Sequence, residues 1–348
     1  MFIQKLRSQK KNIISGILFL LLASLTFYAI FHGNDMGEVL EAIRGVSPVY
    51  LIAAAVLGLF FVSSEGMMIW YLLHALDKRA KLLSCIRYSF IGFFFSGITP
   101  SATGGQPMQL YYMKRDKLKV SESTVVLMTV AVIYKFVLVL MGLGILLFAW
   151  DELSGFLGKY LYLYYLGLVL NVIVVIVLLF VMVCPRVFTK IVFSGEKFLV
   201  KCHLLKPSEK RLSTLVGFVE RYHDTVQFFL KNKHRIAAVI LFTALQRLSV
   251  FVLTYVIYKG FQLSGTGALT VIMLQASVYI AVDMLPLPGA QGITELMYKN
   301  VFSTVFPGSL LTASMCVTRA INFYFLLIVS AGVALCCHVA RRYAAGRI

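Results

Sequence analysis

The sequence predicts an all-α integral membrane protein: about six full transmembrane helices plus two opposed re-entrant hairpins in an inverted repeat. Three observations predict it. Of 348 residues, 59% are apolar and 14% charged, where soluble chains run near one half and one quarter; the mean hydropathy is +0.85. Six stretches reach the roughly 20 apolar residues a helix needs to cross about 30 Å of hydrocarbon. Two further apolar stretches stop short at runs of Pro and Gly. The composition excludes a disordered chain, a collagen, a disulfide scaffold and an ordinary cytosolic enzyme.

Taken in order, Lys5, Arg7, Lys10 and Lys11 precede Ile13–Phe31. That run is longer than the apolar core of a secretory signal and has no small-residue cleavage site, so it reads as a retained span. Val49–Leu73 is the second span. Cys85–Ile98 then runs into Thr99-Pro100-Ser101-Ala102-Thr103-Gly104-Gly105-Gln106-Pro107. Pro and Gly end a helix, and broken backbone at membrane depth survives only when buried in protein or lining a wet cavity. Ser123–Trp150 and Leu161–Val183 follow as full spans.

Residues 184–235 form a long connection. Within it Leu212, Leu215, Val216, Val219, Tyr222, Val226 and Phe229 recur at helical spacing behind Pro207-Ser208, where Ser208 suits an N-cap. With its lysines this helix either lies on the inner leaflet or packs under the bundle. Ile236–Tyr258 is the next span. Ala268–Leu285 then breaks at Pro286-Leu287-Pro288-Gly289-Ala290-Gln291-Gly292, and Ser309–Cys337 closes the series.

Net charge is +18, from 33 Lys+Arg against 15 Asp+Glu. In a soluble chain that would suggest nucleic acid. Here the basic residues sit in clusters beside apolar spans, which reads as topology and contact with anionic lipid, not as a nucleic-acid partner. Four Lys/Arg lie in 1–12, four in 74–87, four in 113–122, eleven in 184–235 and three in 338–348. The connectors 32–48 and 150–160 carry one each. Basic flanks face the cytoplasm, so both termini are expected inside. Parity then requires hairpin 85–112 to enter and leave from the cytoplasmic side, and hairpin 268–308 to dip in from outside.

The chain therefore divides into a first repeat, 1–160, and a second, 161–348, each built as span, span, hairpin, span but starting on opposite sides. Many secondary transporters follow this plan. Sequence echoes agree: Gln106 and Gln291 follow the two breaks, Lys135 and Arg319 fall in the spans after them, and Glu65 and Arg247 lie in the second span of each half.

The six cysteines make no C-x-x-C and are read as small apolar fillers. The six histidines show no metal-ligand spacing, and no H-E-x-x-H, G-x-S-x-G or Walker A pattern occurs. No catalytic residue, metal or cofactor is expected. Tyr111, Tyr112, Tyr160, Tyr162, Tyr164 and Tyr165 read as an interfacial aromatic belt.

The segments around Pro100–Pro107 and Leu285–Glu295 resemble the two signature stretches of the flippase-like transmembrane domain of lysylphosphatidylglycerol synthase, the bacterial multiple peptide resistance factor. The second stretch usually reads Pro-x-Pro-Gly-Gly-x-Gly-x-x-Glu; here Ala290 replaces the second Gly. The resemblance spans essentially the whole chain. It implies a multi-pass protein of the bacterial plasma membrane that handles phosphatidylglycerol or lysyl-phosphatidylglycerol. Full-length synthases add a cytosolic domain that transfers lysine from lysyl-tRNA. After its last span this chain has only a basic tail ending at Ile348, and the lipid-translocating half alone is expected.

Charged groups within spans cost roughly 2.5–3.5 kcal/mol each on insertion scales and default to function. Arg247, Arg319 and Lys135 are expected to meet a lipid phosphate, with Glu65 neutralising a cation or facing a cationic headgroup. The structural alternative is a buried Glu65–Arg247 pair that only fixes packing. Pro100, Gly104, Gly105 and Gln106, with Pro286, Pro288, Gly289, Gln291 and Gly292, are expected at the hairpin tips. There Gly admits a headgroup to the backbone, or merely lets the chain turn. Gln106 and Gln291 are expected to contact lipid directly. Asp283 and Glu295 either bind a lipid amine or coupling ion, or are wet at the outer surface.

The function these readings favour is translocation of an anionic or aminoacylated phospholipid between leaflets. The alternatives are a lysyltransferase acting with a separate catalytic domain, a scaffold presenting lipid to a synthase or glycosyltransferase, and a transporter of polyprenyl-linked lipid. A homodimer is compatible with each.

Overall fold

The computed structural model describes residues 36–99, 102–202, 208–285, 290 and 292–345, and every regular element among them is helical. The expected span Ile13–Phe31 and the tip residues Pro100, Pro286, Pro288, Gly289 and Gln291 lie outside the described residues.

Apolar runs with few charges make the long helices. Five described helices are long and apolar enough to cross a membrane: Pro48–Ala75, Val120–Phe148, Leu153–Val183, Lys233–Gly260 and Ser309–Val339. They fall on the second to sixth expected spans, with ends shifted by a few residues. Helix α1 is Met36–Arg44, α2 Pro48–Ala75, α3 Leu82–Ile98, α4 Gly105–Arg115 and α5 Val120–Phe148. Helix α6 is Trp150–Leu157, α7 Leu161–Val183, α8 Pro185–Lys201, α9 Glu209–Lys231 and α10 Lys233–Gly260. Helix α11 is Ala268–Val282, α12 Ile293–Val301, α13 Ser309–Arg319 and α14 Leu326–Ala345. A π-helical turn, Ala320–Phe325, joins α13 to α14.

Local chemistry sets several ends. Pro48 and Pro185 open α2 and α8 in the first helical turn, where a missing N–H leaves no bond unmade. The third expected span stops at Phe148, not Trp150, because Ala149 leaves helical geometry and Trp150 starts the short α6. Asp151 in the first turn of α6 suits the positive end of the helix dipole. Ser208 is extended at the start of α9, as an N-cap is, but its side chain makes no capping bond.

Both broken stretches make helix pairs whose arms touch. Between α3 and α4, Thr99 Oγ1 donates to Phe95 O at 2.6 Å and accepts from Gly104 N at 2.9 Å, tying the bend. The arms meet so closely that a Cβ at Gly105 would lie 2.7 Å from Gly92 O. Between α11 and α12, Gly292 has φ +83°, which an L side chain rarely adopts. Its N–H donates to Glu295 Oε2 at 2.7 Å, one half of a capping box.

The connection 184–235 holds two helices, α8 in addition to the amphipathic segment read at 212–229. Its second, α9, packs under the bundle over its later turns, where Tyr222, Val226 and Phe229 are buried, against α5, α8 and α10. Phe188 of α8 stacks on Tyr222 at 3.5 Å between ring centroids, and the Tyr222 hydroxyl reaches Met128 Sδ at 3.4 Å. Burial pushes the Tyr222 phenol up to about 12. The aromatic belt also loses two members: Tyr112 is buried, and Tyr164 is buried with its hydroxyl on Gly142 O at 2.8 Å. A phenol deep in the bundle finds a backbone acceptor instead of the headgroup layer.

Candidate functional site

Lys135 and Arg247 of the spans converge with aromatic and amide side chains, Glu65 lies one helical turn from this group, and Arg319 stands apart from it. Helix α2 brings Phe61 and Glu65, α4 Gln109, α5 Tyr134 and Lys135, α10 Gln246 and Arg247, and α11 Tyr279. Asp283 caps the end of α11. A charge in an apolar bundle must be paired or hydrogen-bonded, and this requirement explains each contact.

Lys135 and Asp283 form an ion pair, with side chains 14% and 9% exposed. The Tyr134 hydroxyl also donates to Asp283 and lies 3.3 Å from the Tyr279 hydroxyl. Arg247 Nη1 donates to that Tyr279 hydroxyl at 3.3 Å, and Nη2 to Gln246 Oε1 at 3.1 Å. Gln246 Nε2 in turn donates to Phe61 O at 2.8 Å. The result is a continuous polar chain that crosses repeatedly between residues 1–160 and 161–348.

Arg247 is the distinctive member. It is 5% exposed, and its guanidinium carbon lies 4.1 Å from the Tyr134 ring centroid, 4.6 Å from Phe61 and 5.8 Å from Tyr279. Ring faces stabilise a desolvated cation by about 2 kcal/mol. No carboxylate pairs with it among the described ion pairs, and its Nε is buried without an acceptor. A cation held by rings, with a donor left over, has capacity for an incoming anion oxygen.

The Glu65–Arg247 pair is not formed. Glu65 Oε1 instead accepts from Gln109 Nε2 at 2.7 Å, a link between α2 and the second arm of the first broken pair. Gln106, three residues earlier, is exposed at the start of α4. Gln109, Tyr134, Gln246 and Tyr279 are thus the residues that reading the sequence missed.

Glu295 and Arg319 form a second, separate contact. Arg319 Nε donates to Glu295 Oε1 at 2.7 Å, with side chains 12% and 5% exposed. The Arg319 guanidinium also sits 5.0 Å from the Phe323 ring. Tyr298 donates to Ser314 Oγ at 3.3 Å beside this pair. Asp283 and Glu295 are engaged by Lys135 and Arg319, with carboxylate side chains 9% and 5% exposed. Gly104 precedes α4, Gly105 opens it, and Gly292 precedes α12.

An apolar cleft of about 380 Å³ opens beside the polar chain, lined by Met141 and Gly144 of α5, Leu248 and Phe251 of α10, and Ile272 and Met273 of α11. The Phe251 ring lies 5.9 Å from that of Tyr279, so cleft and polar chain share a wall.

Compared with known families, residues 12–330 match the model described as the lysylphosphatidylglycerol synthase TM region. No curated protein matches the chain.

Proposed function

This chain belongs to the family of the lysylphosphatidylglycerol synthase transmembrane region, and from that premise we propose that it translocates an anionic or aminoacylated phospholipid, such as lysyl-phosphatidylglycerol, between leaflets of the bacterial plasma membrane. The observation that carries the reading is Arg247: a buried guanidinium in an aromatic box, with no carboxylate at ion-pair distance among the described residues and one donor unused.

A lipid phosphate is the anion a membrane supplies in bulk. Arg247 receives its oxygens, and Lys135 exchanges Asp283 for the same phosphate. The released Asp283 carboxylate and Glu65 then face the amine of an aminoacylated headgroup. The adjoining apolar cleft takes acyl chain while the headgroup occupies the polar chain. Two broken helix pairs, each following a long helix and preceding another, support the reading of opposed re-entrant hairpins in repeats 1–160 and 161–348 that rock against each other. The basic connectors support cytoplasmic termini.

The test is leaflet exchange of labelled phosphatidylglycerol and lysyl-phosphatidylglycerol in liposomes holding the purified protein. Arg247→Gln removes charge-assisted bonds worth about 1.5–3 kcal/mol, so exchange falls about 10- to 100-fold at unchanged folded yield. Unchanged exchange of both lipids in that variant refutes the role given to Arg247. Absence of exchange in the native protein refutes autonomous translocation of these lipids.

A further inference from the structure

A second lipid-facing element lies outside the spans. Helix α7 ends at Val183 and α8 starts at Pro185, so α8 leaves the bilayer at its edge. One side of α8 is fixed to the protein: Phe188 stacks on Tyr222, and Glu196 pairs with Arg211 of α9 at 2.9 Å. The other sides meet no partner among the described residues. Val187, Ile191 and Phe198 recur at spacings of four and seven residues, which align them in one stripe. Ile191 is 51% and Phe198 63% exposed.

Lys190, Lys197 and Lys201 recur at seven and four residues and are all exposed. About 100° per residue places them in a second stripe, roughly a quarter turn from the apolar one. The only carboxylate of α8, Glu196, is already held by Arg211. An apolar stripe flanked by unneutralised lysines, on a helix that begins at the membrane edge, has the chemistry of an interfacial anchor.

We infer that α8 is an interfacial wedge that binds the anionic leaflet of the membrane this protein spans. Ile191 and Phe198 enter the acyl boundary, and Lys190, Lys197 and Lys201 contact lipid phosphates. Because Phe188 bears on Tyr222, and Tyr222 on Met128 of α5, the wedge connects through packed side chains to the helix that carries Tyr134 and Lys135. This inference does not depend on translocation.

The experiment places a Trp in the stripe, Phe198→Trp, in the full chain in nanodiscs of phosphatidylcholine with or without phosphatidylglycerol. Signal from native Trp70 and Trp150 is subtracted using the unmodified protein. Lipids brominated on the acyl chain quench the new Trp at least about twofold in anionic discs. Quenching weakens in neutral discs and in Lys190→Gln/Lys197→Gln/Lys201→Gln. Amide exchange across 185–201 in the protein without the Trp gives a second reading, with slower exchange in anionic discs. Absence of quenching in anionic discs overturns the inference. So does equal quenching with and without phosphatidylglycerol, or slowed exchange that appears only when two copies share a disc.

Discussion

Replacing Glu295 tests how α12, the second arm of the second broken helix pair, is held against α13. Glu295 is 4% exposed, and its carboxylate accepts from Arg319 Nε and Gly292 N, each at 2.7 Å, and so binds α12 to α13. Removing one partner of a buried pair costs about 3–5 kcal/mol because the other charge loses its counter-charge while still buried. The lost bond at the start of α12 adds about 1 kcal/mol. Glu295→Leu should therefore destabilise the protein by about 4–6 kcal/mol, and Arg319→Met by about 3–5 kcal/mol. The double variant removes both charges and should lose little beyond the terminal bond. The coupling between the two sites, the two single losses less the double loss, is then about 6–10 kcal/mol, well above the ~0.6 kcal/mol average, and the maximum near 1.7, of interhelical hydrogen bonds in membrane proteins. Reversible unfolding of detergent-solubilised protein by sodium dodecyl sulfate, followed by circular dichroism, measures all four species. Coupling below about 1.7 kcal/mol would refute the argument that an ion pair, and not ordinary packing, fixes this helix pair.

Other substitutions separate tight from loose positions in the same assay. Gly105→Val drives a side chain into Gly92 O and should cost about 1–3 kcal/mol or abolish folding. Gly144→Ala, where an added Cβ meets nothing within 4 Å, should stay within about 0.5 kcal/mol. Gln109→Leu strips Glu65 of its donor and should cost about 1–3 kcal/mol, largely recovered by adding Glu65→Leu. Lys78→Ala breaks a 3.2 Å pair with Glu122 in which the lysine is 31% exposed, so the loss should be under about 1 kcal/mol and smaller still in high salt.

Reading the sequence located the described spans because apolar length and the cost of intramembrane charge are local properties. Pro and Gly marked both breaks for the same reason. What it did not reveal depends on neighbours far along the chain. Tyr134 and Tyr279 look like any aromatic residue in an apolar helix until Asp283 and Arg247 are placed beside them. Gln106 follows the break and invites attention, yet Gln109, one turn on, is the residue that faces α2 and finds Glu65. Glu65 and Arg247 have opposite charge and similar depth, which suggested a pair. Gln109 and the aromatic rings satisfy them separately. The connection 184–235 showed its amphipathic pattern in 212–229 but hid α8, because that helix divides its surface among protein, oil and lysines.

The π-helical turn Ala320–Phe325 bears on how this chain tolerates changes of length. Its backbone bonds close one residue later than in an α turn, so it stores one extra residue. Before it, Arg319 meets Glu295; after it, Leu326 is buried with Val62 and Phe90. Losing one residue inside 320–325 relaxes the turn to ordinary helix and leaves both flanks in phase with their partners. A loss elsewhere between these anchors and their outer ends rotates one flank against the other by about 100°. The turn is thus a phase adjuster, a slack point at which the last span can be edited while the ion pair on one side and the apolar contact on the other keep their bearings.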